Sequence, residues 1–240
     1  RDLRDVDHAA LHAALRAGDA VHCAFVFDAE ILDPLPRRDR RVEFIWEAVR
    51  ELKASLESAG GGLQVLHGRA REEIPRLAAR LKVAAVYANR DYEPAAVFRD
   101  AVVERSLAGL GIAFHTRKDQ VLFELDELRT QAGGAFSVFT PYKNAWLRKL
   151  TPFFVKPYPV QRHRARLAPF AGPMPSLEEL GFERTNLAAL RIPTGMAGGR
   201  KLFVSPVVRR LARERDVDLA AAPGPGRGGR VTRRDLAAMA

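Results

Sequence analysis

The feature that most constrains the fold is a regular alternation of short apolar runs with longer amphipathic stretches. The apolar runs cover residues 20–27, 63–67, 83–88 and 112–116. Between them, at residues 40–58, 71–81 and 94–110, apolar side chains recur at three- and four-residue spacing. Short continuous apolar runs indicate strands buried on both faces, and the longer spacing indicates helices. Strands that alternate with helices are joined by right-handed crossovers, so we expect an α/β fold with a Rossmann-like, doubly wound parallel sheet.

The pattern changes after residue 116. Residues 122–128 and 142–150 predict two short helices, and seven of the 15 prolines then fall in residues 151–203, as in an extended linker. Residues 204–240 predict two helices joined by a glycine-rich loop. We therefore expect an α/β domain over residues 1–150, a Pro/Gly linker over 151–203 and a small all-α helical hairpin domain over 204–240.

Cysteine content and apolar run length bear on the cellular compartment. Cys23 is the single cysteine, so no disulfide can form within the chain. No apolar run approaches the ~20 residues that span a membrane, and no secretory signal sequence opens the chain. These features favour a cytoplasmic protein without a membrane partner.

Positive charge is concentrated towards the carboxyl terminus. The chain has a net charge of +10, and residues 200–240 contain ten Arg and Lys against four acids. Such an excess favours an anionic partner, either nucleic acid or the acidic face of a protein. Elsewhere in the chain, arginines that simply keep the protein soluble are an equal alternative.

Polar residues follow three of the predicted strands. Asp28, Gly68 and residues 89–94 come directly after them. Ligands of open α/β sheets bind beyond the carboxyl ends of the strands, so these residues, with Arg41 and Arg99, could line a polar pocket. Acidic residues at such positions are more often helix caps, and spacing alone favours that interpretation.

Five separated motifs occur in the order found in one known family. They are Arg1-Asp-Leu-Arg4, Phe25-Val-Phe-Asp28, Asn89-x-Asp-Tyr-Glu-Pro94 followed by Arg99-Asp100, Val121-Leu-Phe-Glu124, and Phe139-Thr-Pro-Tyr-Lys-Asn-Ala-Trp146. This series resembles the photolyase/cryptochrome α/β domain of deoxyribodipyrimidine (cyclobutane-dimer) photolyases. Gly181-Phe-Glu-Arg-Thr-Asn-Leu187 is similar to the linker that leads into the flavin domain of that family. The resemblance covers residues 1–203.

The resemblance implies a light-harvesting role. In that family the α/β domain holds an antenna chromophore, either a folate or a deazaflavin, whereas a separate helical domain binds FAD and transfers the electron that splits a pyrimidine dimer. The residues that fall where deazaflavin-type members contact their antenna are Asp28, Arg41, Asp91, Glu93 and Arg99. Folate-type members have an Asn-Glu pair where this chain has Ala95 and Ala96. This departure favours a deazaflavin-like antenna, or none, over a folate.

Two features of the family have no counterpart in the sequence. The helical domain is missing, so we expect this chain not to bind FAD, to have no catalytic residue, to contact DNA only weakly and to be inactive in repair alone; whether it is an enzyme stays open. Family members also have an apolar strand before the position of Arg1, in the middle of the sheet. Without it we expect a truncated sheet with a gap and two exposed edges. Either residues upstream were removed, or the fragment is unstable or pairs with another chain.

The carboxyl-terminal segment resembles a second family. Its order is Ser-Pro-x-Val-Arg-x-Leu-Ala-Arg-x-x-x-Val-Asp-Leu, then Gly-x-Gly-x-Gly-Gly-Arg-Val-Thr-x-x-Asp, from Ser205 to Asp235. This order is similar to the peripheral subunit-binding domain of dihydrolipoyl acyltransferases. The resemblance implies docking to the dihydrolipoyl dehydrogenase or decarboxylase subunit of a 2-oxo acid dehydrogenase complex. The basic residues at the family's contact positions are Arg209, Arg210, Arg213 and Arg230. A plain basic arm that binds nucleic acid, or nothing, is the alternative.

The remaining motifs do not predict a dinucleotide-binding site or a metal site. The glycines at 224–229 match a dinucleotide-binding pattern, but no strand precedes them. His8 and His12 are four residues apart without a third ligand, so no metal site is expected. Three interpretations remain: a chromophore-binding and docking protein, a photolyase remnant whose flavin half is supplied elsewhere or was lost, or an accidental junction near Phe203 with no joint function.

Overall fold

The computed structural model describes residues 2–190. The predicted helical hairpin, and with it Arg209, Arg210, Arg213 and Arg230, lies outside the described residues. Among residues 2–190, no helix is long and apolar enough to cross a membrane.

Helices and strands alternate as the sequence predicts. The elements are α1 (Ala9–Ala17), β1 (Cys23–Asp28), α2 (Ala29–Leu32), α3 (Arg40–Ser58), β2 (Leu63–Gly68), α4 (Ala70–Leu81), β3 (Ala85–Asn89), α5 (Pro94–Gly109), β4 (Ala113–Arg117) and α6 (Phe139–Lys149). The α/β fold class is therefore confirmed. The helix predicted at 122–128 is only a single 3-10 turn, Leu125–Glu127.

The strands form two parallel pairs rather than one continuous sheet. β1 pairs with β2, from Cys23 opposite Leu63 to Asp28 opposite Gly68. β3 pairs with β4 over five residues. Within residues 2–190 no strand joins the two pairs, so the sheet has the expected gap. One consequence is incomplete burial: of the six residues of β1, which are expected to be buried on both faces, only Phe27 and Asp28 are buried.

Helix α1 links the two strand pairs. It lies against β3 and β4, and its Leu15 is fully buried in the core that belongs to the β1–β2 pair. That core also contains Phe27 of β1 and Val49 of α3. A second, smaller core lies between α4, α5 and β4, around Leu107.

Residues 151–190 have no α-helix or strand, as the linker prediction requires, but they are not a free spacer. Leu167, Leu177 and Phe182 are buried in the same core as Val49. At Gly62, a Cβ atom would lie 2.1 Å from the carbonyl oxygen of Phe170, so only glycine permits this close approach. The α/β unit therefore includes the proline-rich segment that follows it.

Candidate functional site

Asp28 ends β1 and holds two helices. Its Oδ1 accepts hydrogen bonds from the backbone N–H of Glu30, at 3.2 Å, and from that of Ala70, at 3.3 Å. These N–H groups belong to the first turns of α2 and α4, whose orphan donors need such acceptors. Gly68, which pairs with Asp28 in register, has a φ of 149° that favours glycine. The structure thus gives Asp28 the helix-cap role that the spacing favoured.

Arg41 lies in the first turn of α3 beside a buried carboxylate. Its Nε donates to Oδ1 of Asp39 at 3.0 Å, and the same oxygen accepts the backbone N–H of Arg41 at 2.8 Å. These hydrogen bonds hold the pKa of Asp39 at about 2, below its ordinary value. Asp39, which the sequence reasoning missed, is therefore an N-cap that stays ionised and fixes the Arg41 guanidinium.

The other three predicted residues lie where β3 leads into α5. Oδ1 of Asp91 accepts the backbone N–H groups of Tyr92, at 2.7 Å, and Glu93, at 3.2 Å. Glu93 directly precedes α5, and its exposed side chain makes no cap hydrogen bond. Arg99, inside α5, is paired with Asp100 at 2.8 Å.

The predicted residues thus form two groups, one on each strand pair. Asp28 and Arg41 belong to the β1–β2 half, and the remaining three belong to the β3–β4 half. Each predicted arginine is paired with a neighbouring carboxylate in its own half, at Asp39 or Asp100.

A buried polar network closes the amino terminus of α1. Oδ1 of Asn89, the last residue of β3, accepts the backbone N–H of Ala10 at 2.9 Å. Its Nδ2 donates to Asp119 at 3.0 Å, and Arg4 forms an ion pair with the same carboxylate. Burial lowers the pKa of His8, which caps this helix. The Arg4 motif therefore positions α1 on the β3–β4 half.

The side chain of Glu124 connects its own motif, residues 121–124, with the motif at residues 89–94, which contains Asp91. Arg90 donates to both of its carboxylate oxygens, at 2.7 and 2.8 Å, and the Tyr92 hydroxyl donates to Oε1 at 2.8 Å. Burial and this hydrogen bond raise the pKa of Tyr92 to about 12. Glu124 is too far from Arg90 and Tyr92 in the sequence for residue spacing to predict these contacts. The family resemblance of both motifs was the one sequence signal that pointed to these residues.

Two adjoining open cavities lie at the amino-terminal end of α3. One, of about 600 Å³, is polar and is lined by Arg38, Asp39, Arg40, Thr185 and Asn186. The other, of about 330 Å³, is almost wholly apolar and is lined by Arg40, Arg41, Phe44, Ile45, Leu187 and Leu190. Of the predicted site residues, Arg41 alone lines either of these two cavities. Ligand sites of comparable volume are common, and an apolar wall with a few polar groups is their usual composition.

In the part of the chain that the structure describes, no three His, Cys, Asp or Glu side chains are grouped to hold a metal ion. Burial raises the pKa of the Cys23 thiol to about 11, so this cysteine is not a thiolate at neutral pH.

Comparison with known protein families identifies both parts of the chain. Residues 1–162 match the DNA photolyase family and residues 202–237 match the e3 binding domain. An uncharacterized 31.6 kDa protein of Synechococcus is 35% identical over 185 residues, which are 76% of this chain and 64% of that protein. The deoxyribodipyrimidine photo-lyase of Halobacterium salinarum is 32% identical over 85% of this chain and 44% of its own length.

Solved structures show the same relationship. A class III photolyase from Agrobacterium tumefaciens has a TM-score of 0.59 and 25% identity, over 80% of this chain and 37% of that one. A photolyase from Sulfolobus tokodaii has a TM-score of 0.50 and 30% identity, over 54% of this chain and 30% of that one. The chain spans less than two thirds of the length of each of these relatives. It belongs to the DNA photolyase family, and an e3 binding domain follows its α/β unit.

Proposed function

We propose that this chain is a chromophore-binding domain of the photolyase family that is tethered to a docking segment and does not itself repair DNA. The single observation that carries the proposal is the succession of a photolyase match and an e3 binding match in one chain, within 40 residues of each other. Whatever the α/β unit binds is therefore held close to a module of a kind that recognises protein partners.

The α/β unit offers a place for a planar, partly apolar chromophore. The apolar cavity is lined by Phe44 and Ile45 together with Arg40 and Arg41. An apolar lining of this kind would suit the ring system of a deazaflavin-like antenna. When bound, such a group would supply absorption of near-ultraviolet or blue light.

The remaining predicted contacts would have to come from both strand pairs. We propose Asp28, Asp91, Glu93 and Arg99 as further chromophore contacts. Ala96 is buried and has no hydrogen-bonding side chain, which supports a deazaflavin-like group over a folate. The Sulfolobus tokodaii relative holds two FAD molecules, with the implication of a novel light-harvesting cofactor, so an antenna role has a precedent in a related fold.

The docking segment would bind an acidic face of its partner. We propose that Arg209, Arg210, Arg213 and Arg230 pair with carboxylates of a dihydrolipoyl dehydrogenase or decarboxylase subunit of a 2-oxo acid dehydrogenase complex. Guanidinium groups suit this task because they form planar, bidentate pairs with carboxylates.

The absorption spectrum of the purified chain, loaded with a deazaflavin, tests the first half of the proposal. We expect one near-ultraviolet or blue band that co-purifies with the protein, without the band pattern of FAD. Arg41→Ala should reduce uptake, whereas Arg76→Ala, which removes an exposed arginine of α4, should not. Equal uptake by both variants, or a bound FAD, would overturn the proposal.

Binding to purified dihydrolipoyl dehydrogenase tests the second half. Arg213→Ala should weaken the complex, and Arg233→Ala, a basic residue outside the proposed contacts, serves as the matched control. If neither dihydrolipoyl dehydrogenase nor a decarboxylase subunit binds, the docking assignment fails while the chromophore assignment stands.

A further inference from the structure

Residues 128–177 contain no acidic residue. This acid-free stretch holds eight Arg and Lys and neither Asp nor Glu, whereas the preceding 127 residues hold 22 acids against 19 Arg and Lys. The acid-free stretch therefore has a net charge of +8, whereas the preceding 127 residues have a net charge of −3. The proposed chromophore site uses none of them.

Aromatic rings of the same stretch are exposed. Phe139 and Phe153 have 72% and 73% of their surface exposed, and Tyr142 and Tyr158 are exposed as well. Helix α6, which contributes Phe139 and Tyr142, has no buried residue. A surface with this many exposed rings indicates a binding function, because apolar groups of this size are usually covered.

An inner row of rings anchors the exposed ones. Trp146 of α6 contacts Phe123, at 5.6 Å between ring centroids, and Phe123 contacts Phe154 at 4.8 Å. Phe153 then lies edge-on to Phe154 at 5.4 Å. The exposed ring of Phe153 is thus held against Phe154, which Phe123 connects to Trp146 of α6.

Half of the cations in the acid-free stretch have no partner within the described chain. Arg129 and Arg164 pair with carboxylates, and Lys149 and Arg166 donate to backbone carbonyls. Within the acid-free stretch, the four exposed cations for which residues 2–190 provide no hydrogen bond or ion pair are Lys143, Arg148, Lys156 and Arg162. These four charges are available to an external anion.

Rings and free cations alternate along the stretch. Lys143 is one helical turn beyond Phe139 on α6, and Lys156 lies between Phe153 and Tyr158. Proteins that bind single-stranded nucleic acid combine exposed rings with cations, because bases stack on the rings while phosphates contact the cations. A duplex hides the faces of its bases, and an acidic protein partner would not require stacked rings.

We infer that the surface formed by α6 and residues 150–162 binds single-stranded nucleic acid, with bases stacked on Phe139 and Phe153 and phosphates held by the four free cations. This binding would be independent of light, of a lesion and of the proposed chromophore. It goes beyond the proposed function, and its failure would leave that proposal untouched.

Fluorescence anisotropy with an undamaged oligothymidylate, in the dark and without flavin, tests the inference on the full chain. Four neutralised phosphates predict a slope of about −3 for the logarithm of the binding constant against that of the salt concentration. Phe139→Ala combined with Phe153→Ala should raise Kd at least about tenfold, because each stacked base contributes measurably to binding. Phe98→Ala, which removes a ring of α5 that is 63% exposed, is the matched control and should change Kd less than twofold.

A second variant separates this surface from the basic carboxyl-terminal segment. In a chain with Arg209, Arg210, Arg213 and Arg230 all changed to alanine, the double phenylalanine substitution should still weaken binding by the same factor. Several results would overturn the inference: no binding, equal affinity for single strand and duplex, no effect of the phenylalanine substitutions, or a preference for anionic vesicles over the oligonucleotide.

Discussion

The proline-rich segment after residue 150 should contribute as much stability as a core helix does. Leu177 tests this because it is 1% exposed and lies in the core with Val49 and Leu52, although no helix or strand contains it. Replacing a buried leucine by alanine removes its transfer free energy and leaves a cavity, at a cost of about 2–5 kcal/mol. We therefore expect Leu177→Ala to lower the free energy of unfolding by about 3 kcal/mol.

Urea denaturation followed by far-ultraviolet circular dichroism measures this loss. With a slope of about 2 kcal/mol per molar urea, the midpoint should fall by about 1.5 M. Leu190→Ala is the control in the same segment: Leu190 is 45% exposed, so its loss should stay within about 0.5 kcal/mol. If Leu177→Ala lowers stability by less than about 1 kcal/mol, the segment is only a tether and the packing argument is wrong.

Two further predictions concern single contacts. Hydrogen bonds from Arg41 hold the pKa of Asp39 at about 2, so the stability contributed by this carboxylate is complete above about pH 4 and is lost as the pH falls through about 2. Arg41→Ala removes the side-chain hydrogen bonds and should raise the pKa of Asp39 in an NMR titration. An unchanged pKa would refute the assignment. Gly62→Ala places a Cβ 2.1 Å from the carbonyl oxygen of Phe170 and should destabilise the chain clearly, whereas Gly109→Ala, at the end of α5 with open space around it, should be neutral or slightly stabilising in the same urea assay.

The elements that the sequence predicts well are those with a strong local pattern. Helix α3 combines apolar residues at helical spacing with glycines just beyond its end, and the structure has it at Arg40–Ser58. The strands follow from short apolar runs between helices. Both signals come from neighbouring residues, so no knowledge of distant contacts is needed to detect them.

Distant contacts account for what the sequence did not predict. Trp46 of α3 donates to the carbonyl oxygen of Pro175 at 2.8 Å, and Thr185 donates to the buried carboxylate of Glu43. Each of these contacts fixes the proline-rich segment at one point, and no periodic pattern in that segment reveals which side chains are buried. Sequence patterns therefore predict a linker for an irregular segment, and only the structure shows which residues the segment covers.

The candidate chromophore site depends on how the two halves of the sheet are spaced. Neighbouring strands of a sheet lie about 4.8 Å apart, so one strand between β1 and β3 would set the distance between Asp28 and Asp91 at about two spacings. In the present structure α1 links the halves instead, through Leu15 on one side and the Asn89 network on the other.

Residue identities carried over from a family specify which side chains a ligand would contact, but the spacing of the two halves decides whether it can contact them at the same time. The exposed rings Phe139 and Phe153 belong to one continuous segment, so their binding of bases would not require Asp28 and Asp91 to come together. Binding of nucleic acid and binding of a chromophore should consequently respond to different perturbations: substitution of Asn89 should impair chromophore uptake, whereas Phe139→Ala combined with Phe153→Ala should weaken only the binding of single strands.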